Sequence, residues 1–320
     1  MEYKTIYQMA SKSARAGIFI TLILGGIVSQ LHASVKPTDV YYLTLGIDES
    51  LKAAYGLDSE YKAQPITLNA KPRNVYHKAL AVVEEFAALH PGSIDLVRYK
   101  KLQGLDSDEI KPSHVYEVLT LIKNYFTYKQ AFKEYQGPRE SKAPSHVFQK
   151  LREVSYHHLE IAKQKDMKMN WATPGRVFEA NIAEVVPLLY SLAKEVGVPY
   201  QRYGFPMRGQ QDIKPRHVYK LLQMTYKKLA TYYQNTSGYQ PIVLDEIKNL
   251  DGVTPADVFD LTKILTAELK VLRGGVNAFD MELSLKYSEW KESKSKIAPG
   301  DVYPLVQHAF NIVKAISPES

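Results

Sequence analysis

The sequence predicts an all-α protein, a solenoid-like array of about eight helical repeats joined by long irregular connectors. Three observations carry this. A phrase of the form x-Pro-x-x-Val-(Tyr/Phe) occurs eight times. Each copy opens an apolar run with helical spacing. The prolines lie 35, 40, 32, 30, 41, 40 and 44 residues apart, a period of the size that marks stacked structural units.

Residues 1–33 come first and read as an export signal. Lys4, Lys12 and Arg15 form a positive front, Ala16 to Val28 is an uncharged apolar run of 13 residues, and a polar stretch ends at Ala33. A membrane-spanning helix needs about 20 apolar residues, so a run this short suits a cleaved signal core. Cleavage after Ala33 is expected, although Leu31 is bulkier than the usual occupant of its place. An uncleaved anchor is the alternative, and only then would the chain touch a membrane. The expected address is exported, periplasmic or extracellular, with residues 34–320 forming a single repeat domain.

The copies are Pro37, Val40 and Tyr41; Pro72, Val75 and Tyr76; Pro112, Val115 and Tyr116; Pro144, Val147 and Phe148; Pro174, Val177 and Phe178; Pro215, Val218 and Tyr219; Pro255, Val258 and Phe259; Pro299, Val302 and Tyr303. Counting from the proline, +3 and +4 are always valine and an aromatic residue. Position +7 is apolar in Ala79, Leu119, Leu151, Leu222 and Val306, whereas Thr44, Asn181 and Thr262 depart from that pattern. Residues at +3, +4 and +7 share one helix face, so the valine–aromatic pair marks the buried side of a first turn. Proline suits that turn because its missing N–H has no helical partner to lose. Thr173 and Thr254 before the proline, or Thr38, Ser113 and Ser145 after it, are the candidate caps.

Helices are expected over about 38–56, 73–90, 113–135, 145–166, 175–196, 216–235, 256–273 and 300–316. The connectors hold short β-like pieces, 64–68 and 240–244, and room for short helices at 94–105 and 244–250. Each repeat is then either a helical hairpin or a long helix that returns through an extended connector, with successive helices parallel. The second is favoured because the strong pattern appears once per period, and most connectors are long enough to span a helix. The repeat shares only its length with the two-helix repeat families. The tetratricopeptide pattern is absent.

Composition narrows function. With 45% hydrophobic and 23% charged residues the chain is ordinary globular material. It has no cysteine, which rules out disulfides, thiolate metal sites, iron–sulfur clusters and a thiol nucleophile. The net charge is +7, and the chain beyond residue 33 keeps 38 basic against 33 acidic residues, or +5. That excess is spread out, so nucleic acid, which calls for a concentrated basic patch, is not an expected partner. No His-Glu-x-x-His, calcium loop, nucleophile elbow or phosphate-binding glycine loop occurs. No metal or cofactor is expected, and the reading leans away from an enzyme.

Two groups of residues are candidates for contact with a partner. The +2 position is polar in every copy, and His114, His146, Arg176 and His217 gain nothing from the helix dipole there, so they form a possible polar ladder along one edge. The chain also holds 23 tyrosines. Tyr200, Arg202, Tyr203, Phe205, Tyr239 and Trp290 fall in connectors, where aromatic faces beside donors suit a peptide or a sugar. The leading expectation is an exported, non-enzymatic repeat scaffold for a protein or peptide. The alternatives are a glycan-binding envelope module using those aromatics, and an envelope enzyme with a site built from several connectors.

Overall fold

The computed structural model describes residues 35–61, 65–67, 69–105, 109–168, 171–205, 209–245, 250–274 and 278–318. The expected signal segment lies outside them. Described helices are α1 (Pro37–Tyr55), α2 (Pro72–Leu89), α3 (Leu96–Gln103), α4 (Pro112–Tyr128), α5 (Pro144–Gln164), α6 (Pro174–Ala180), α7 (Val186–Glu195), α8 (Pro215–Ser237), α9 (Pro255–Leu272), α10 (Met281–Glu292) and α11 (Pro299–Ile316). The protein is all-helical, and every motif proline opens a helix. No described helix is long and apolar enough to cross a membrane.

The helix starts follow one plan. The residue before each proline is extended, with ψ between 155° and 165°, as the proline ring requires of its neighbour. Its N–H is then caught by the +2 side chain: Asp39 at 2.8 Å, Asn74 at 2.8 Å, His114 Nδ1 at 3.2 Å, His146 Nδ1 at 3.0 Å, His217 Nδ1 at 3.1 Å, Asp257 at 2.7 Å and Asp301 at 2.9 Å. This is one half of a capping box, made with aspartate, asparagine or a histidine Nδ1 in place of glutamate. Thr173 and Thr254 cap as expected. Thr38 does not cap; its hydroxyl accepts from the Lys142 N–H.

The eight motif valines are only 1–2% exposed. Tyr76, Phe148, Phe178, Tyr219 and Phe259 are buried beside them, and Tyr41, Tyr116 and Tyr303 are half-buried. The three departures at +7 are buried too. Thr44 and Thr262 hydroxyls and the Asn181 amide each donate to the carbonyl of their own motif valine, at 2.8, 2.9 and 2.8 Å. A polar group can enter this core because it bonds four residues back along its own helix.

The helices do not stack in file. In the first half α1 packs on α4, α4 on α2, α2 on α5 and α5 on α1; in the second, α6 packs on α9, α9 on α8, α8 on α11, and α11 on α6 and α7. Both halves therefore close into four-membered rings in which the copies follow the order first, third, second, fourth. The prolines and valines of α1, α2, α4 and α5 meet around one space of about 10 Å³, and those of α6, α8, α9 and α11 around another of about 10 Å³. Four first turns meeting at one point make the four helices of a ring parallel. Long connectors follow of necessity, since each must run back the length of a helix.

The rings join through α2 and α9. Arg73 at the start of α2 meets Glu268 near the end of α9, and Lys78 meets Asp260, so these helices, and with them the two rings, are antiparallel. The β-like pieces also pair: Thr67 and Leu244 form an antiparallel bridge, and Asp245 N–H reaches Ile66 O at 2.7 Å.

Boundaries mostly match expectation. The third motif helix stops at Tyr128 and not near 135, because Gln130 takes a left-handed φ of 52° and Ala131 N–H closes back on Phe126 O. The helix at 94–105 is present as α3. The one expected at 244–250 falls mainly outside the described residues. Helix α10 was not expected; Asp280 caps it through Leu283 N–H. Between α6 and α7, Asn181–Val185 form a π turn directly before Pro187, which has no N–H to give to the ladder.

Replacing Val115 with Asp buries an unpaired charge at the meeting point of four helices. The expected result is loss of cooperative urea unfolding, or a drop of several kcal/mol. A stability within about 1 kcal/mol of the parent would contradict this packing.

Candidate binding site

Two concave regions gather polar and aromatic side chains from several helices. The first is an open groove of about 640 Å³ between α1 and α4. The loop after α4 makes its wall. That loop lies so close to α1 that a Cβ at Gly46 would stand 2.7 Å from Lys133 O, and Lys133 N–H donates to Ser50 Oγ at 2.8 Å. Tyr135 on the loop stacks on Tyr42 with centroids 4.7 Å apart, and the Tyr42 hydroxyl receives the Glu140 N–H at 2.8 Å. Arg139 lies over the Tyr42 ring at 5.4 Å and Lys123 over Phe132 at 5.2 Å. Arg98 pairs with Glu117 at 3.1 Å and Arg139 with Asp39 at 3.7 Å. Tyr116 and Glu134 complete a lining with three basic and three acidic side chains.

The second is a cleft of about 500 Å³ between the rings, more enclosed than the groove. Its floor is a chain of buried charges. Lys78 meets Asp260 at 2.7 Å, Arg152 Nε meets the other oxygen of Asp260 at 3.1 Å, and Arg152 Nη2 meets Asp257 at 2.6 Å. Beside them Glu85 accepts from Ser155 at 2.6 Å and from His158 Nδ1 at 3.2 Å. Burial alone would raise the Glu85 carboxyl; the Lys78 charge, His158 and Ser155 outweigh it and hold Glu85 below the ordinary range. Burial pushes the Tyr61 phenol up strongly. His157, next to His158, turns the other way and meets Asp48 on α1 at 2.6 Å. Asp48 too is held low, since the His157 and Lys52 bonds overcome its burial.

A further cluster lies on the same seam. Glu184, in the π turn, accepts from Lys263 at 2.6 Å and is lowered to about 2: burial opposes this, but Lys263 and Lys270 prevail. His77 is lowered to about 3, first by burial and then by the same lysines. His90 and His308 are each lowered to about 4, chiefly by burial. Their bonds suit neutral rings. His90 stands with Nδ1 3.1 Å from Phe86 O and Nε2 2.5 Å from the Tyr55 hydroxyl, and His308 Nε2 lies 2.9 Å from the Tyr190 hydroxyl. Among the described residues no three histidine or carboxylate side chains gather as a metal-ligand set.

The residues singled out in the sequence lie elsewhere, and most are committed to the fold. Trp290 is on α10, not in a loop, and is buried with Phe178 stacked on it and Phe205 and Tyr287 tilted against it. Tyr203 is buried and its N–H donates to the Tyr190 hydroxyl at 2.6 Å. Tyr200 stacks on Tyr190 at 4.7 Å. Arg202 is exposed, but its guanidinium binds Asp280 and Glu282. Tyr239 receives Arg73 Nη2 at 2.8 Å and binds Glu268. These aromatic groups seal gaps between helices, because the connectors are too long to leave the ring flanks bare. His114, His146 and His217 cap their helices. Arg176 leaves the ladder and meets Glu84 of the other ring at 2.5 Å. Neither concave region was legible beforehand: Tyr42, Tyr135, Arg152 and Trp171 belong to no motif position.

The chain matches no protein-family model, no curated protein and no solved structure.

Replacing Arg152 with Met leaves Asp257 and Asp260 facing each other without their shared partner. A loss of about 3–5 kcal/mol in urea unfolding is expected, as for other broken buried pairs; a neutral outcome would show that water reaches the seam. Acid should act in two stages. His90, His308 and His77 take up a proton near 6.5 in the unfolded chain but only near 4, 4 and 3 when folded. The unfolded state then binds more protons in that window, so stability is full above pH 6.5 and falls as pH drops toward 4 and 3. Glu184 adds a further loss between its ordinary value of 4.5 and about 2. Thermal melting across pH 2–8 tests this, and His308→Gln should flatten the upper limb.

Proposed function

We propose that the protein is an exported, non-catalytic binding protein that holds an extended peptide segment of a partner in the groove between α1 and α4. One observation carries the reading: half-buried Tyr135, seated on the buried Tyr42 ring, and half-buried Tyr116 lie in an open trough beside Arg98, Lys123, Arg139, Asp39, Glu117 and Glu134. Flat amphipathic rings give contact area at low entropic cost, and interspersed charges of both signs select register along a chain. An extended peptide needs an open trough, whereas a small substrate calls for enclosure. Export rests on residues 1–33, with their basic front and 13-residue apolar run. The absence of a catalytic motif supports a binding role over an enzymatic one. The repeats supply the rigid frame, as two closed rings in place of the open concave array that the period alone suggests.

Selection of a random-peptide library on the immobilised protein tests this. Enrichment of a consensus with both charge signs and aromatic or aliphatic anchors is expected. Tyr135→Ala and Arg139→Glu should each weaken the selected peptide about tenfold, the loss that about 1.4 kcal/mol produces. A library that yields no consensus, or a peptide indifferent to both substitutions, would overturn the reading.

A further inference from the structure

We infer that the cleft between the two rings is a second, separate site, and that it takes a neutral hydroxyl-bearing ring, one or two sugar units. The first ground is size and enclosure. At about 500 Å³ the cleft lies within the range of small-ligand sites, and residues from α2, α5, α9 and three connectors converge on it.

The second ground is the state of its charges. Lys78 and Arg152 are bound to Asp260 and Asp257, and Lys163 at the rim to Glu160. An anionic ligand on the floor would have to displace a buried carboxylate from Lys78 or Arg152. A cationic ligand would want open aromatic faces. The Tyr61 ring already carries Arg152 at 5.7 Å, and the Phe259 ring carries Arg176 at 5.5 Å and Lys263 at 5.8 Å. The floor therefore disfavours an anion and leaves a cation no aromatic face but that of Tyr156. It still offers carboxylate oxygens with spare lone pairs, which accept from hydroxyls.

The third ground is an unused donor. Trp171 lines the cleft and is 7% exposed, yet its indole N–H meets no acceptor among the described residues. A buried indole N–H is normally satisfied. A ligand hydroxyl or ring oxygen would satisfy it. Half-buried Tyr156 supplies the apolar surface on which the face of a sugar ring rests. A neutral ring with hydroxyls that donate and accept uses the acceptors, the donor and the Tyr156 face without breaking an ion pair.

The test is titration calorimetry on the full chain, with tryptophan fluorescence read in parallel. Glucose, galactose, mannose, N-acetylglucosamine and maltose are the neutral probes; choline and glucuronate are the charged ones. A saturable signal with at least one neutral sugar is expected, with a Kd of about 1 mM or tighter. Trp171→Phe keeps the ring but removes the donor, and should weaken that sugar about tenfold. Tyr156→Ala serves if that variant fails to fold. Tyr135→Ala in the groove should leave sugar binding unchanged, so failure at one site is separable from failure at the other. No heat from any neutral sugar at about 10 mM, preference for choline or glucuronate, or full affinity in both cleft variants would overturn the inference.

Discussion

The meeting of four helix first turns at one point is the constraint on which the rest of the molecule depends. Proline and valine from four copies surround a space of about 10 Å³, at the lower limit of what a single water needs. Bringing four N-termini together sets four helix dipoles side by side with their positive ends gathered, which is unfavourable in itself. Aspartate at +2 in α1, α9 and α11 opposes that field directly. Asparagine and histidine supply the same hydrogen bond without the charge, and the lone-pair side of the imidazole faces the N–H. The polar row at +2 thus belongs to the architecture: it completes the turn whose apolar side fills the centre.

The seam between the rings obeys different rules. Each ring closes around an apolar centre, whereas the contact of α9 with α2 and α5 is laced with Arg73, Lys78, Arg152, Asp257, Asp260 and Glu268, several of them buried. Buried pairs of this kind add little net stability over apolar packing but penalise misalignment heavily. A one-turn slip of α9 along α2 would set Lys78 and Glu268 against unlike partners. The seam therefore fixes how two similar rings sit, which their similar apolar surfaces alone would not.

Much of the fold was legible because one physical requirement was written eight times. The proline, the valine and the aromatic residue fix the start and buried face of each motif helix, and all eight starts fall within one residue of expectation. Ring closure was not legible, since neighbours in space are the first and third copies and not the first and second. Nothing local encodes that order. Helix α10 escaped because Met281, Leu283, Leu285, Tyr287 and Trp290 give no clean 3.6-residue stripe, and Leu285 faces outward. The aromatic connector residues misled for a related reason: Trp290 and Tyr203 sit beside polar neighbours in sequence but against Phe178 and His308 in space. Tyr42 and Trp171 stand out only when the rings that flank them are in place.

The bridge between Thr67 and Leu244 bears on the order of assembly. Thr67 Oγ1 also donates to Val243 O, 176 residues further along the chain. Contacts at that separation form late, since closing so long a loop costs entropy before anything is gained. The first ring holds all four of its helices by Gln164 and has its own interior, so it can condense while the second is still emerging. The clasp between connectors then registers the arrival of the later half. Kinetically it acts as a latch on two preformed bodies and not as a seed for either.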